Sequence, residues 1–439
     1  MRSIFGALLL HLGLPALLAA STQIPGAAQQ TPVALMGATV HTVSGEDVHG
    51  GTVLFTDGVI TAVGTDVDIP DDARRIDVTG RHVYPGMIDA ASALGLSEIR
   101  AVRAGNDYDE VGELTPEVRA HIAVNPDSEH LPVARANGIT AALTMPSGGL
   151  VPGMASLIRM DGWTTEDLVI EAPAALVVNW PVMHINRREG ARPKPEEQVE
   201  RRDAQIRQLR ELFATVRAYR KSRKEGRGGS AGLDLRSETL IPVLDGEVPV
   251  LVTVRDVRQV QAALDWARTE GVQLIIGGTG DIWRASAELA AHSVPVIYWN
   301  SYNLPRRADD AYDTGYTIPL KLFEAGVEFC FAHTSSPAFA RYLPEEAGRA
   351  VAYGLPHDEA LRAVTLNPAR IFGVDHRLGS IEVGKEATLV VTDGDLLELT
   401  THVELEFIRG RQVDLSSHHT QLYDKYRTKY ERLGFSLEK

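Results

Sequence analysis

Fourteen histidines and 58 acidic residues against a single cysteine leave room for a histidine–carboxylate metal centre and none for a cysteine-rich one. Chemistry-bearing side chains concentrate just after apolar, strand-like runs: Ser92, Ser147, Asn179, Trp180, His184, Thr253, Arg255, Asp281, Asn300, Tyr302 and His333. These are hydrogen-bonding and stacking groups, suited to holding a small polar molecule. Ser92, Asn179, His184, Thr253, Arg255, Asp281, Asn300 and His333 are the ligand-binding candidates. A nucleophile–base pair could be drawn from Ser92 or Ser147 with His333, but no spacing assembles a triad, so no catalytic residue is assigned. A divalent ion would need about three converging ligands. Asp89, His184 and His333 are the residues that stand where such ligands could come from; apart from that single ion, no cofactor is expected.

Two kinds of element position these residues. From Val33 to Val83 the pattern is short strands with turn signals: Thr39 to Val43, Thr52 to Phe55 and Val59 to Val63, the last two flanking Asp57-Gly58, a dipeptide suited to a hairpin turn. Beyond Met87, apolar runs alternate with capped helices. The clearest stretch runs from Val248 to Val254, through a helix opened by Asp256 and closed by Gly271, to Val272–Ile276, Val294–Trp299 and Val327–Phe331. Strands apolar throughout are buried on both faces, which predicts a parallel sheet covered by helices. The number of such units, with no glycine-rich dinucleotide fingerprint after the first strand, favours a closed (β/α)8 barrel over an open sheet.

Short strands return after Gly373, at Gly379–Glu382, Thr388–Val391 and Glu404–Ile408, so the two chain ends are expected to complete one small β-sandwich. The predicted division is a signal peptide over 1–28, sandwich over 31–82 and 376–415, barrel over 83–375, and a C-terminal helix over 416–439. In that last helix Leu422, Tyr423, Tyr426, Tyr430 and Leu433 fall at helical spacing, which predicts docking onto the body. A basic segment, 187–229, carries Ile206, Leu209, Leu212, Phe213, Val216 and Tyr219 as one apolar stripe; a lid or a surface for an acidic partner is one reading, and an outer barrel helix with a solvated face is the favoured one. The polar stretch from Ser97 to Arg135 reads either as a binding segment, with the paired acids Asp107 and Asp109 for a cation or a basic ligand, or, the favoured reading, as a salt-bridged cover over the barrel mouth with Arg100 and Arg103 as counter-charges.

Met1-Arg2, the apolar run Ile4–Ala20 and the small residues that follow predict a secretory signal peptide and an exported, periplasmic or secreted protein. His11 and Pro15 interrupt that run, which argues against a membrane anchor, and no other segment is long and apolar enough to span a bilayer. A formal charge of −14, −15 once Arg2 is lost, repels nucleic acid and anionic lipid.

The run Thr365-Leu366-Asn367-Pro368-Ala369-Arg370-Ile371-Phe372-Gly373, followed by Leu378-Gly379-Ser380-Ile381-Glu382-Val383-Gly384-Lys385-Glu386-Ala387-Thr388-Leu389-Val390-Val391, resembles the end of amidohydrolase-superfamily chains, especially the imidazolonepropionase-like branch. Gly80-Arg81-His82-Val83-Tyr84-Pro85-Gly86-Met87-Ile88-Asp89 resembles that family's approach to its first barrel strand. The resemblance implies a TIM barrel, a β-sandwich built from both termini, and a metal-assisted hydrolytic site at the strand ends, where an Asp-x-His-x-His motif, middle-strand histidines and a last-strand aspartate bind one or two ions. Here the motif reads Asp89-Ala90-Ala91-Ser92-Ala93, and methyl groups cannot coordinate a metal. Middle strands end Val252-Thr253-Val254 and Ile276-Gly277-Gly278-Thr279, and the last ends Phe331-Ala332-His333-Thr334-Ser335, without the aspartate. The expectation is a family member with its usual metal ligands missing, which binds a small polar molecule or supports a partner, either a second copy or a related amidohydrolase subunit. The alternative is an active exported hydrolase of cyclic amides or related C–N bonds with a non-standard site.

Overall fold

In the computed structural model, which describes residues 23–225, 233–334 and 336–435, Asp57 and Gly58 both take positive φ, 52° and 79°. That is the backbone a two-residue hairpin needs to match strand twist. The hairpin joins β2 (Val48–Thr56) to β3 (Val59–Gly64), beside β1 (Val33–Val40), β4 (Arg74–Asp77) and β5 (His82–Pro85). The chain then enters the barrel: β6 (Met87–Ser92), β7 (Ile139–Thr144), β8 (Gly153–Arg159), β9 (Val169–Asn179), β10 (Val250–Val254), β11 (Leu274–Gly278), β12 (Val296–Trp299) and β13 (Phe329–Ala332). It returns to the first sheet as β14 (Leu389–Thr392), β15 (Val403–Ile408) and β16 (Arg411–Gln412). The signal peptide expected over 1–28 lies outside the described residues as far as residue 22.

The terminal sheet has the order β16-β15-β14-β5-β1-β2-β3, with β4 against β1, so both chain ends do build one unit. β2 and β15 are four positions apart, about 19 Å in a flat sheet. Yet Phe55 and Phe407 meet edge to face at 5.2 Å. The sheet is therefore rolled over its own core of Leu35, Val53, Ile60, Leu389 and Val391. Ala387 N–H donates to the Gly58 carbonyl at 2.8 Å across the closure. A single rolled sheet thus performs the packing expected of a sandwich.

The barrel strands neighbour one another in chain order from β6 to β13. Seven run parallel; β8 runs antiparallel to both β7 and β9. The reversed strand departs from a strict (β/α)8 repeat, because hairpin links replace two crossovers. Between β10 and β11 the helix Val257–Glu270 starts where the Asp256 carboxylate accepts from Arg258 and Gln259 N–H. It stops at Gly271, left-handed at φ 70°, a conformation glycine adopts without penalty. The helix Pro195–Lys224 buries Leu209, Phe213 and Val216, and Phe213 packs edge-on at 5.2 Å against Trp266 of the helix Val257–Glu270. This is the outer barrel helix that the stripe predicts.

The C-terminal helix His418–Arg432 departs from expectation. None of its residues is buried, and Tyr423, Tyr426 and Leu433 are half or more exposed. It does not dock its aromatic face on the body. Among the described residues no helix is long and apolar enough to cross a membrane.

Candidate functional site

The strand ends open into a cavity of about 1020 Å3. Of the residues singled out from sequence, Ser92, Asn179, Thr253, Arg255 and Asn300 line it together, with Ser147 and Trp180 beside them. Pleating explains the grouping, since each follows or ends a strand whose alternate side chains face the barrel interior. Their partners fix them locally. The Thr253 hydroxyl donates to Asn179 Oδ1 at 2.8 Å, and Asn179 Nδ2 donates to the carbonyls of Gly148 and Gly149 at 3.1 and 3.0 Å. Ser92 Oγ accepts from Leu94 N–H at 3.2 Å. Asn300, at φ 58°, donates through Nδ2 to the Thr334 hydroxyl at 3.1 Å.

The mouth is basic in an acidic protein. Arg100, Arg255 and Arg306 line it against one acid, Asp310, which is already paired with Arg284 at 2.6 Å. Arg306 crosses Gly280 to donate to the Arg255 carbonyl at 2.5 Å. A Cβ at residue 280 would stand 2.6 Å from Arg306 Cδ, so glycine makes room for the arginine. The Arg255 guanidinium is exposed, and its contacts among the described residues run through its backbone: N–H to Gln259 Oε1 at 2.7 Å and the carbonyl to Arg306. Gln259 Nε2 in turn donates to the Trp180 carbonyl at 2.9 Å. Arg306, Tyr108 and Gln259 are members of this wall that the sequence pattern did not reveal, because they come from loops and a helix face rather than from strand ends.

The segment after β6 forms the remaining side. Ser97, Arg100 and Tyr108 face the cavity, so the polar stretch does border the mouth. Its order comes from the backbone, with bridges Asp109 to Ser147, Leu114 to Val151 and Arg119 to Met154 that run it along the loop between β7 and β8 and onto the start of β8. Asn106 adds a side-chain staple, accepting from Ser97 Oγ and donating to the Val102 carbonyl at 2.8 Å.

Three expected residues lie elsewhere. Asp281 turns inward and is held by Arg307 at 2.8 Å, so its charge is spent on the fold. His184 is exposed, with Nδ1 3.3 Å from Arg258 Nη2. His333 borders a second cavity of about 450 Å3, with Tyr302, Phe339, Tyr342 and Glu345, which adjoins the first through Asn300 and Asn303. Its Nδ1 is 3.4 Å from Glu346 Oε1. Glu346 is buried, and its Oε2 accepts from the N–H of Ser301 at 3.2 Å and from the Ser301 hydroxyl. Sequence inspection passes over Glu346 because an acid in the first turn of a helix, here Leu343–Ala352, is ordinary.

Asp89 has a structural task. β6 and β13 are the unpaired edges of the barrel sheet, and Asp89 Oδ1 accepts the N–H of His333 at 3.0 Å across that seam. Its other oxygen is buried without a partner. Burial pushes the carboxyl up from 3.8 to about 7, although the His333 N–H pulls the other way. The neighbouring Cys330 thiol is also pushed up by burial.

Asp89, His184 and His333 therefore do not form a ligand set. Residues 91 and 93 are alanines, His184 is exposed and is not among the residues lining the cavity, and no three His, Cys, Asp or Glu residues cluster as metal ligands among the described residues.

Residues 300–415 match the amidohydrolase family. The chain is 24% identical over 384 residues to amidohydrolase tasK of Hapsidospora irregularis, an alignment spanning 79% of this chain and 38% of that protein. It is 27% identical over 399 residues to an imidazolonepropionase of Syntrophobacter fumaroxidans, covering 80% of this chain and 85% of the relative. An amidohydrolase structure from Thermotoga maritima superposes with a TM-score of 0.77 at 26% identity, over 87% of this chain and 99% of that one.

Proposed function

The chain belongs to the amidohydrolase superfamily, on its imidazolonepropionase-like branch, and from that premise we propose that it is a degenerate member whose barrel mouth binds a small anionic molecule without a metal centre. The observation that carries the reading is the replacement of both motif histidines by Ala91 and Ala93, next to an Asp89 already engaged in closing the barrel. What stands in the mouth instead is Arg255 and Arg306 over the hydrogen-bonding floor of Asn179, Thr253 and Asn300. Guanidinium groups present paired donors that match a carboxylate or phosphate. Trp180, Trp299 and Tyr108 add flat apolar surface for the rest of such a ligand. The leader pattern of residues 1–28 supports export, with the binding site in the periplasm or outside the cell.

One observation favours the alternative of an active C–N hydrolase with a non-standard site. A carboxyl poised near pH 7, as Asp89 is, suits proton transfer. Two measurements on the purified chain separate the readings. The binding reading expects no stoichiometric zinc, manganese or iron after dialysis, and a melting temperature raised by small carboxylates or phosphate esters. That shift should disappear in Arg255→Ala and Arg306→Ala. A tightly held metal that vanishes in His333→Ala, or turnover of cyclic amides, would overturn it.

A further inference from the structure

The helix His418–Arg432 has a local reason to start, since the Ser417 N–H donates to Thr420 Oγ1 at 2.8 Å in a capping box. It has no packing reason to persist. A free helix of about 15 residues is marginal in water, and none of this one's side chains is buried. Tyr423, Tyr426, Tyr430 and Leu433 are 61%, 50%, 43% and 62% exposed. They recur at intervals of three, four and three residues, which is the spacing of a coiled-coil seam rather than of a solvated face.

That seam is symmetric about Thr428. Tyr426 and Tyr430 stand two residues to either side, and Tyr423 and Leu433 five. The charges are arranged with complementary sign about the same point, Asp424 opposite Arg432 and Lys425 opposite Glu431. A segment that reads as its own complement when reversed is suited to isologous contact, in which each residue meets its mirror position on an identical chain. We propose that this helix pairs antiparallel with the same helix of a second copy of the chain, across a two-fold axis at Thr428. Tyr426 of one copy then packs on Tyr430 of the other, and Tyr423 on Leu433.

The two cations nearest the seam do not oppose this pairing. Arg427 is engaged within its own helix, 3.3 Å from Asp424 and 3.8 Å from Glu431. Lys429 lies over the rings of Tyr426 and Tyr430 at 5.8 and 5.7 Å. The seam is only about 15 Å long, shorter than a standard interface requires, which makes the expected dimer a weak one, with a dissociation constant on the order of micromolar.

Sedimentation velocity on the full chain, from about 1 to 200 µM to bracket a micromolar constant, should show a monomer–dimer equilibrium. Tyr426→Lys and Tyr430→Glu should each weaken it by roughly tenfold or more, and mixing the two variants should restore a one-to-one heterodimer. Their thermal unfolding should match the unsubstituted chain, because neither side chain is buried. A chain that stays monomeric throughout, or a dimer indifferent to both variants, overturns the proposal. Restored pairing between Tyr426→Lys and Tyr426→Glu would overturn the antiparallel register in favour of a parallel one.

Discussion

Asp161 and Asp89 are both buried acids that tie one part of the molecule to another, and they are satisfied in opposite ways. Asp161 stands where the barrel meets the terminal sheet; Arg135 Nη1 donates to it at 2.9 Å and Gly26 N–H at 3.1 Å. Asp89 stands at the β6–β13 seam, faces backbone N–H groups, and keeps one oxygen without a partner. Burial raises both carboxyls, but at Asp161 the Arg135 guanidinium opposes the rise, whereas Asp89 reaches about 7. A buried acid with a cation is a fixed charge; one without a cation becomes a proton store. The paired acid belongs to the frame, and the unpaired acid lies on β6, three residues before the cavity-lining Ser92.

The largest expected effect comes from breaking the paired acid. Arg135→Ala strands Asp161 and also removes donors to the carbonyls of Met160 and Asp414, and should cost about 3–5 kcal/mol in urea unfolding. Next, Asp89→Ala should cost about 1–3 kcal/mol by leaving the His333 N–H unpaired at the seam. Asp89→Asn keeps the acceptor and should cost less, with a pH signature. The Asp89 carboxyl ionises near 3.8 when unfolded and near 7 when folded, so its stabilising contribution is complete below about pH 4 and is lost as the pH rises to about 7. The asparagine variant should therefore gain on the wild type between pH 5 and pH 8. A variant as damaging as Arg135→Ala and flat with pH would erase the contrast between the two acids.

Smaller effects sharpen it. Arg255→Ala and Arg306→Ala sit at the exposed mouth and should change unfolding free energy by no more than about 0.5 kcal/mol, while removing the melting shift caused by anions. The surface pair His357–Asp395, 2.7 Å apart, gives the mildest case. The hydrogen bond to Asp395 raises His357 from 6.5 despite burial, so its contribution is present below pH 6.5 and fades as the pH passes the folded value. His357→Asn should cost a few tenths of a kcal/mol at pH 5.5 and still less at pH 8, read from urea midpoints.

Much of the fold was legible because its signals are local. Asp256 and Gly271 bracket a helix through capping chemistry confined to a few residues, and Asp57-Gly58 turns a hairpin for the same reason. Strand direction was not legible: the β8 run Gly-Met-Ala-Ser-Leu-Ile-Arg is apolar read either way, and periodicity carries no polarity. Asn179, Thr253 and Arg255 come together in the cavity lining because strand ends converge in a barrel. Asp281 was misplaced relative to the cavity because its main cation, Arg307, comes from a loop 26 residues further on. Glu346 was missed because its burial depends on Ser301, which no local pattern links to it. The C-terminal helix shows the same limit from the other side, since spacing revealed an apolar stripe but not what would cover it.

The reversed strand β8 also bears on how the chain folds. β7, β8 and β9 are joined by segments 145–152 and 160–168, while the shortest other link between neighbouring barrel strands is 279–295. Loop-closure entropy grows with the length to be closed, and contacts near in sequence form soonest. The β7–β9 meander is therefore the part of the barrel that can order first, giving the slower crossover units an edge on which to assemble.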